Sequence, residues 1–204
     1  DSLLDLGVVS ISCRSSILTS SFIVDSVAIS WLHINNIPFS IIQNDIAKMI
    51  DLEMKNIKNK KNQRSSNWYS VYRELDEIEE KIDDIIASPL NQDTGYITKT
   101  IIGQSYEGRD IWAIKLSSSN SENTFPINPK PAIVINGCQH AREWITPMAT
   151  TYLIEHLPQL YYSNSNWNLF LDEVDVYIIP VVNPDGYVYT WEKDRWWRKN
   201  RQIN

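Results

Sequence analysis

The sequence predicts an α/β domain from about residue 67 onward, a mixed sheet with covering helices, preceded by a small α+β module. Three observations carry this. Residues 131–136 (PAIVIN) and 174–182 (VDVYIIPVV) are short, nearly continuous apolar runs of the kind buried on both faces of a sheet. A helix-like segment opening at Thr146-Pro147 separates them, and strand, helix, strand in that order calls for a parallel or mixed sheet under helices. Upstream, Leu75, Ile78, Ile82, Ile85 and Ile86 recur at i, i+3, i+7, i+10 and i+11, the stripe of an amphipathic helix.

Taken in order, residues 1–54 are rich in Ser, Ile and Val and almost free of Gly. Phe22-Ile23-Val24 and Val27-Ala28-Ile29 read as strand fragments, while Ile42, Ile46, Met49 and Ile50 fall at helical spacing. Residues 55–66 (KNIKNKKNQRSS) hold five positive charges, no acid and one large apolar residue, so burial cannot offset the entropy of ordering them. That composition suits a solvated linker, a protease-sensitive segment or, least readily in an acidic chain, a nucleic-acid contact.

The helix predicted over residues 75–86 turns an acidic face to solvent, and Pro89 and Asn91 are expected to stop it. Residues 97–102 and 110–116 are strand-like and are joined by a loop holding Gly103 and Gly108, the pattern of a hairpin. After the first buried run, Thr146 reads as an N-cap and Pro147 as the first helical residue, with Met148, Tyr152 and Leu153 on the apolar side. Asn183-Pro184-Asp185-Gly186 closes the second buried run as a turn.

Composition bounds the function classes. The 204 residues are 43% hydrophobic and 11% aromatic with a net charge of −6, which excludes a chain dominated by disorder and a wholly basic nucleic-acid coat. No run approaches the roughly 18 apolar residues of a membrane span. Cys13 and Cys138 allow one bridge at most and do not decide the compartment.

The chemistry concentrates at Gly137-Cys138-Gln139-His140-Ala141-Arg142-Glu143-Trp144, where a strand is predicted to end and a helix to begin, the place where α/β proteins keep their ligands. A His and a Glu three apart can offer zinc one imidazole nitrogen and one carboxylate, or can simply satisfy each other. His156, sixteen residues after His140, reads as a half-buried packing histidine, and His33 lies in the N-terminal zone.

From Trp68 to Arg201 the chain resembles the zinc metallocarboxypeptidases of the A/B type. The resemblance rests, in order, on YRELDEIEEKI, SYEGRDIWAIKLS, GCQHAREWITP, IIPVVNPDGYVYT and DRWWRKNR. INNIPFSIIQNDIAKMI, at 34–50, resembles that family's propeptide, and the Lys-rich zone falls where such zymogens are cut. DGYVYTWEKDRWWRKNRQ is particularly similar to fungal pseudo-carboxypeptidases of cell-wall biogenesis, which are secreted and keep the zinc ligands but not the catalytic glutamate.

The resemblance implies a propeptide-like module at 1–54, an activation segment at 55–66 open to a protease, and the N-terminal part of a carboxypeptidase-like domain at 67–204. It implies a Zn2+ cofactor held by His140 and Glu143, substrate binding by Arg142, and polarisation of the scissile carbonyl by Arg198. The implied activity is release of residues from peptide or protein C-termini, in a secreted or vacuolar protein without nucleic-acid or membrane partners. The alternative it implies is a catalytically inactive zinc-binding relative. The third zinc ligand, the substrate-carboxylate arginine, the specificity pocket, a tyrosine and the glutamate base are expected beyond residue 204, so this chain by itself is expected to be inactive.

Overall fold

The computed structural model describes residues 3–11, 20–61, 67–94, 96–118, 130–163 and 170–203. Cys13 and residues 62–66 of the basic stretch lie outside them. The chain divides into two compact units, Asp1–Met49 and Ile50–Asn204.

In the first unit, β1 (Val9–Ser10) pairs antiparallel with β2 (Phe22–Ile23), and helix α1 spans Ser26–Ile34. The apolar triplet Val27-Ala28-Ile29, expected as strand, is helical. Asp25 is the reason: its carboxylate accepts from the Ala28 N–H at 2.8 Å, which caps the helix.

Helix α2 (Ile46–Lys61) begins in the first unit and ends in the second. It therefore runs through most of the stretch expected to be a solvated linker. The correction has a physical cause in two contacts. Ile57, the one large apolar residue there, is buried in the second unit's core at 5% exposure, and Lys61 pairs with Glu74 at 3.2 Å and also with Glu77. Burial and charge pairing supplied by the rest of the unit offset an ordering cost that the segment alone could not.

Helix α3 (Leu75–Ile86) matches its predicted stripe: Ile78, Ile82 and Ile85 are buried. A capping box between Glu74 and Glu77 starts it. Pro89 opens a short helix, α4 (Pro89–Thr94), in the position that a missing N–H makes harmless. Asn91 stitches the turn to the sheet, its side chain donating to the Ile86 and Ile97 carbonyls and accepting from the Ile97 N–H.

The expected hairpin forms as β3 (Ile97–Gln104) and β4 (Asp110–Leu116), antiparallel, with a register shift between Ile101 and Gly103. The main sheet is completed by β5 (Ala132–Asn136) and β6 (Asp175–Ile179) in the order β3-β4-β6-β5. β4 and β6 are antiparallel and β5 and β6 parallel, so the sheet is mixed. Helix α5 (Ile145–Ser163) makes the crossover that a parallel pair requires and packs on α3, β4 and β6. The core gathers Ile78, Ile82, Ile114, Leu116, Trp144, Ile154, Val176, Ile178 and Tyr187.

β5 departs from its reading as a strand buried on both faces. Among the described residues its one strand neighbour is β6, and Ile133 and Val134 are 43% and 60% exposed. Asn183-Pro184-Asp185-Gly186, read as a turn, instead starts helix α6 (Pro184–Glu192): Asn183 caps it by accepting from the Gly186 N–H at 3.0 Å, and Pro184 takes the first helical position.

Candidate metal and substrate site

β5 and β6 end side by side, and the loops after them are knitted together. The Gly137 N–H donates to the Ile179 carbonyl at 2.9 Å, and the Val182 N–H donates to the Gly137 carbonyl at 3.0 Å. Only glycine fits at 137, because a Cβ there would stand 2.6 Å from the Pro180 carbonyl oxygen. The chain then turns sharply through Cys138, whose φ of 55° is in the left-handed region that ordinary residues avoid.

Thr146 holds this turn. Its hydroxyl accepts from the Cys138 N–H and donates to the Glu143 carbonyl, both at 2.8 Å. Helix α5 begins at Ile145, two residues earlier than expected, so Thr146 ties the loop to the helix instead of serving as its N-cap. Nothing in the spacing of the motif signals that role.

The loop presents His140 and Glu143 together, with Nδ1 and Oε1 2.9 Å apart and both side chains about a third exposed. Arg198 arrives from the segment after α6, its guanidinium 3.3 Å from the same imidazole nitrogen. Its carbonyl also accepts from the Ala141 N–H at 3.1 Å, so the arginine segment is anchored to the loop through backbone. Three residues singled out by the sequence therefore converge on one point. Arg142 occupies the same loop but is 8% exposed and offers a ligand correspondingly little surface.

The donor set suits a cation. Nδ1 cannot donate to the Glu143 carboxylate and accept from the Arg198 guanidinium at once. An ion with bonds of about 2.1 Å holds tetrahedral ligand atoms about 3.4 Å apart, so the pair needs to open by about half an ångström to take zinc. Among the described residues, however, no group of three or more His, Cys, Asp or Glu side chains could hold a metal. Cys138 is buried, and burial, reinforced by the Glu143 charge, pushes its thiol far above the ordinary range, which leaves it a poor ligand. His156 is half-buried, stacked on Tyr152 at 3.8 Å with Nδ1 3.0 Å from the Tyr152 carbonyl oxygen, as expected of a packing residue.

Under the loop lies a stack that the sequence did not reveal. Trp144 is parallel to Trp191 at 3.9 Å, its Nε1 donates to the Thr190 hydroxyl at 2.7 Å, and the Arg195 guanidinium covers its other side at 3.6 Å. Asn183 donates to the Lys199 carbonyl at 3.0 Å, which binds the arginine-bearing segment back to the start of α6. Gly186 makes that approach possible, since a Cβ there would meet the same carbonyl oxygen at 2.6 Å.

An α/β sheet therefore presents a His-x-x-Glu loop and an arginine together at the C-terminal edge of its parallel strands. The sequence profile of the zinc carboxypeptidase family matches residues 86–204, and the chain belongs to that family. It is 34% identical to carboxypeptidase B2 of Rattus norvegicus over 175 residues, which are 86% of this chain and 39% of that protein. It is 38% identical to a protein of Saccharomyces cerevisiae named inactive metallocarboxypeptidase over 136 residues, 66% of this chain and 30% of the relative. Among solved structures, thrombin activatable fibrinolysis inhibitor superposes with a TM-score of 0.69 at 30% identity, over 91% of this chain and 44% of the other. The chain thus spans less than half the length of the relatives it matches. Among the described residues, no helix is long and apolar enough to cross a membrane.

Proposed function

We propose that His140 and Glu143 are two protein ligands of a catalytic-type zinc site, that Arg198 steadies the oxyanion formed at a scissile carbonyl, and that Arg142 assists in binding the substrate beside them. The substrates are peptide or protein C-termini. The observation that carries this reading is the convergence of the His140 nitrogen, the Glu143 oxygen and the Arg198 guanidinium within 3.3 Å. When bound, zinc supplies Lewis-acid polarisation of a carbonyl and a water of lowered pKa. The protein's own contribution is to place a fixed positive charge where negative charge develops, with little reorganisation during the reaction.

The first unit and the basic residues 55–66 act as a propeptide and activation segment, in a secreted or vacuolar zymogen. Support comes from the likeness to thrombin activatable fibrinolysis inhibitor, which extends over more of the chain than its second unit makes up. A second reading, a zinc-holding protein without peptidase activity, is favoured by the 38% identity to a relative named inactive.

Calorimetric zinc titration and hydrolysis of N-blocked dipeptides by the complete gene product test both readings. Chelator-sensitive release of the C-terminal residue, lost in Arg198→Ala, supports the peptidase. Stoichiometric zinc binding without turnover supports the inactive relative. Zinc binding that survives both His140→Ala and Glu143→Gln refutes the site.

A further inference from the structure

We infer that Arg195 is the positioning residue of the His140–Glu143 pair, and that Glu53, on the helix preceding the domain, shares its guanidinium and so couples that helix to the metal-ligand loop. The inference rests on the metal-site reading given above but concerns a different residue, three positions before the arginine placed at the reacting carbonyl.

The Arg195 side chain is only 14% exposed, and three of its contacts bear on the loop. Nη1 donates to the Arg142 carbonyl at 3.0 Å. That carbonyl belongs to the peptide unit whose N–H is Glu143's own, and this N–H donates in turn to the His140 carbonyl at 3.1 Å. One guanidinium bond thus fixes the peptide plane between the two ligand side chains. The central carbon of the group lies over the Trp144 ring, 3.6 Å from its centre, Trp144 being the residue directly after Glu143, and Trp144 rests on Trp191. Guanidinium, indole and indole form a layered support beneath the loop, a geometry available to arginine and not to lysine.

The third contact comes from outside the site. Nε donates to the Glu53 carboxylate at 3.3 Å. Glu53 lies on α2, whose Ile57 and Met54 also pack against the core that holds Trp144. A partly exposed pair of this kind adds little stability by itself. Its consequence is orientational: the carboxylate holds the guanidinium in the plane from which it reaches both the carbonyl and the ring. Outer groups that orient metal ligands typically change metal affinity 10–100-fold when removed.

The experiment combines amide hydrogen exchange on the metal-free protein with zinc titration of the full chain, using Arg195→Met, Arg195→Lys, Glu53→Gln, and His140→Ala as reference. Arg195→Met keeps an apolar stem over Trp144 but has no donors. We expect it to speed exchange at Glu143 about tenfold or more and to weaken zinc about tenfold, with relative exchange in β4 and β6 little changed. Arg195→Lys recovers part of both effects. Glu53→Gln gives a smaller change in the same direction, and none when Arg195→Met is already present.

Zinc affinity that falls in His140→Ala but not in Arg195→Met overturns the inference while leaving the metal site standing. Affinity unchanged in His140→Ala refutes the metal site instead, and the exchange rate at Glu143 then decides the clamp alone. Uniformly faster exchange across β4, β6 and the loop would reduce Arg195 to a general stabiliser. An equal effect of Glu53→Gln in both backgrounds would remove the coupling to α2.

Discussion

Replacing Asp185 should destabilise the protein more than most single changes, because one carboxylate organises two segments far apart in sequence. It is 2% exposed in the first turn of α6, where the helix dipole also favours negative charge. It accepts from the Ser105 hydroxyl at 2.6 Å, the Glu107 N–H at 2.8 Å and the Arg109 guanidinium at 2.7 Å, so the β3–β4 hairpin loop folds around it. Hydrogen bonds to charged groups contribute about 1.5–3 kcal/mol each, but three bonds to one group are not additive. Breaking a buried charged pair costs about 3–5 kcal/mol. Arg109 is one-third exposed and keeps Glu107 as a partner, which places Asp185→Ala near the low end, at about 3 kcal/mol. Burial works against the Asp185 charge, yet bonds from Ser105, Glu107 and Arg109 outweigh it and hold the carboxyl below its ordinary value. A carboxyl depressed in the folded state stabilises fully above its unfolded value and loses that stabilisation as pH falls through the folded one. Urea unfolding of wild type and Asp185→Ala should therefore differ by a constant amount near neutrality and converge below about pH 4. A difference under about 1 kcal/mol at neutral pH, or one that persists undiminished in acid, would refute the reasoning.

Four further outcomes are expected. Gly137→Ala forces a Cβ against the Pro180 carbonyl and should cost about 1–3 kcal/mol in urea unfolding while also weakening zinc. Thr146→Val removes the acceptor of the Cys138 N–H and should cost about 1–3 kcal/mol, whereas Thr146→Ser, which keeps the hydroxyl, should cost much less. Zinc bound by this chain alone should be weak and should disappear in His140→Ala, since two ligands leave the ion largely hydrated; tight binding in calorimetry would reveal an overlooked ligand. Trypsin should cut after Lys55 and Lys58 much more slowly in the folded protein than in an isolated peptide of the same sequence, because both lie within α2; equal rates by mass spectrometry would contradict that helix.

The sequence alone determined the features that repeat locally. The isoleucine stripe of α3 is legible because helical periodicity needs no knowledge of what the stripe packs on, and the β3–β4 hairpin is legible from two apolar runs and a glycine-bearing loop. The position of His140 and Glu143 after a strand was equally readable, since it depends on order along the chain. Tertiary structure decided whatever depends on a distant partner. The basic residues 55–61 are helical because Ile57 and Lys61 find a core and two carboxylates elsewhere, and Ile133 and Val134 stay exposed because, among the described residues, nothing packs over them as the apolar run alone would suggest. Asn183-Pro184-Asp185-Gly186 uses residues common to turns and helix starts, and the packing of Tyr187 and Trp191 on the core selected the helix. Arg195 stands among Lys193, Arg198, Lys199 and Arg201 with no local mark. Its distinction comes from Glu53, Arg142 and Trp144, residues brought to it only by folding, because a side chain's role is set by the groups that surround it and not by its neighbours along the chain.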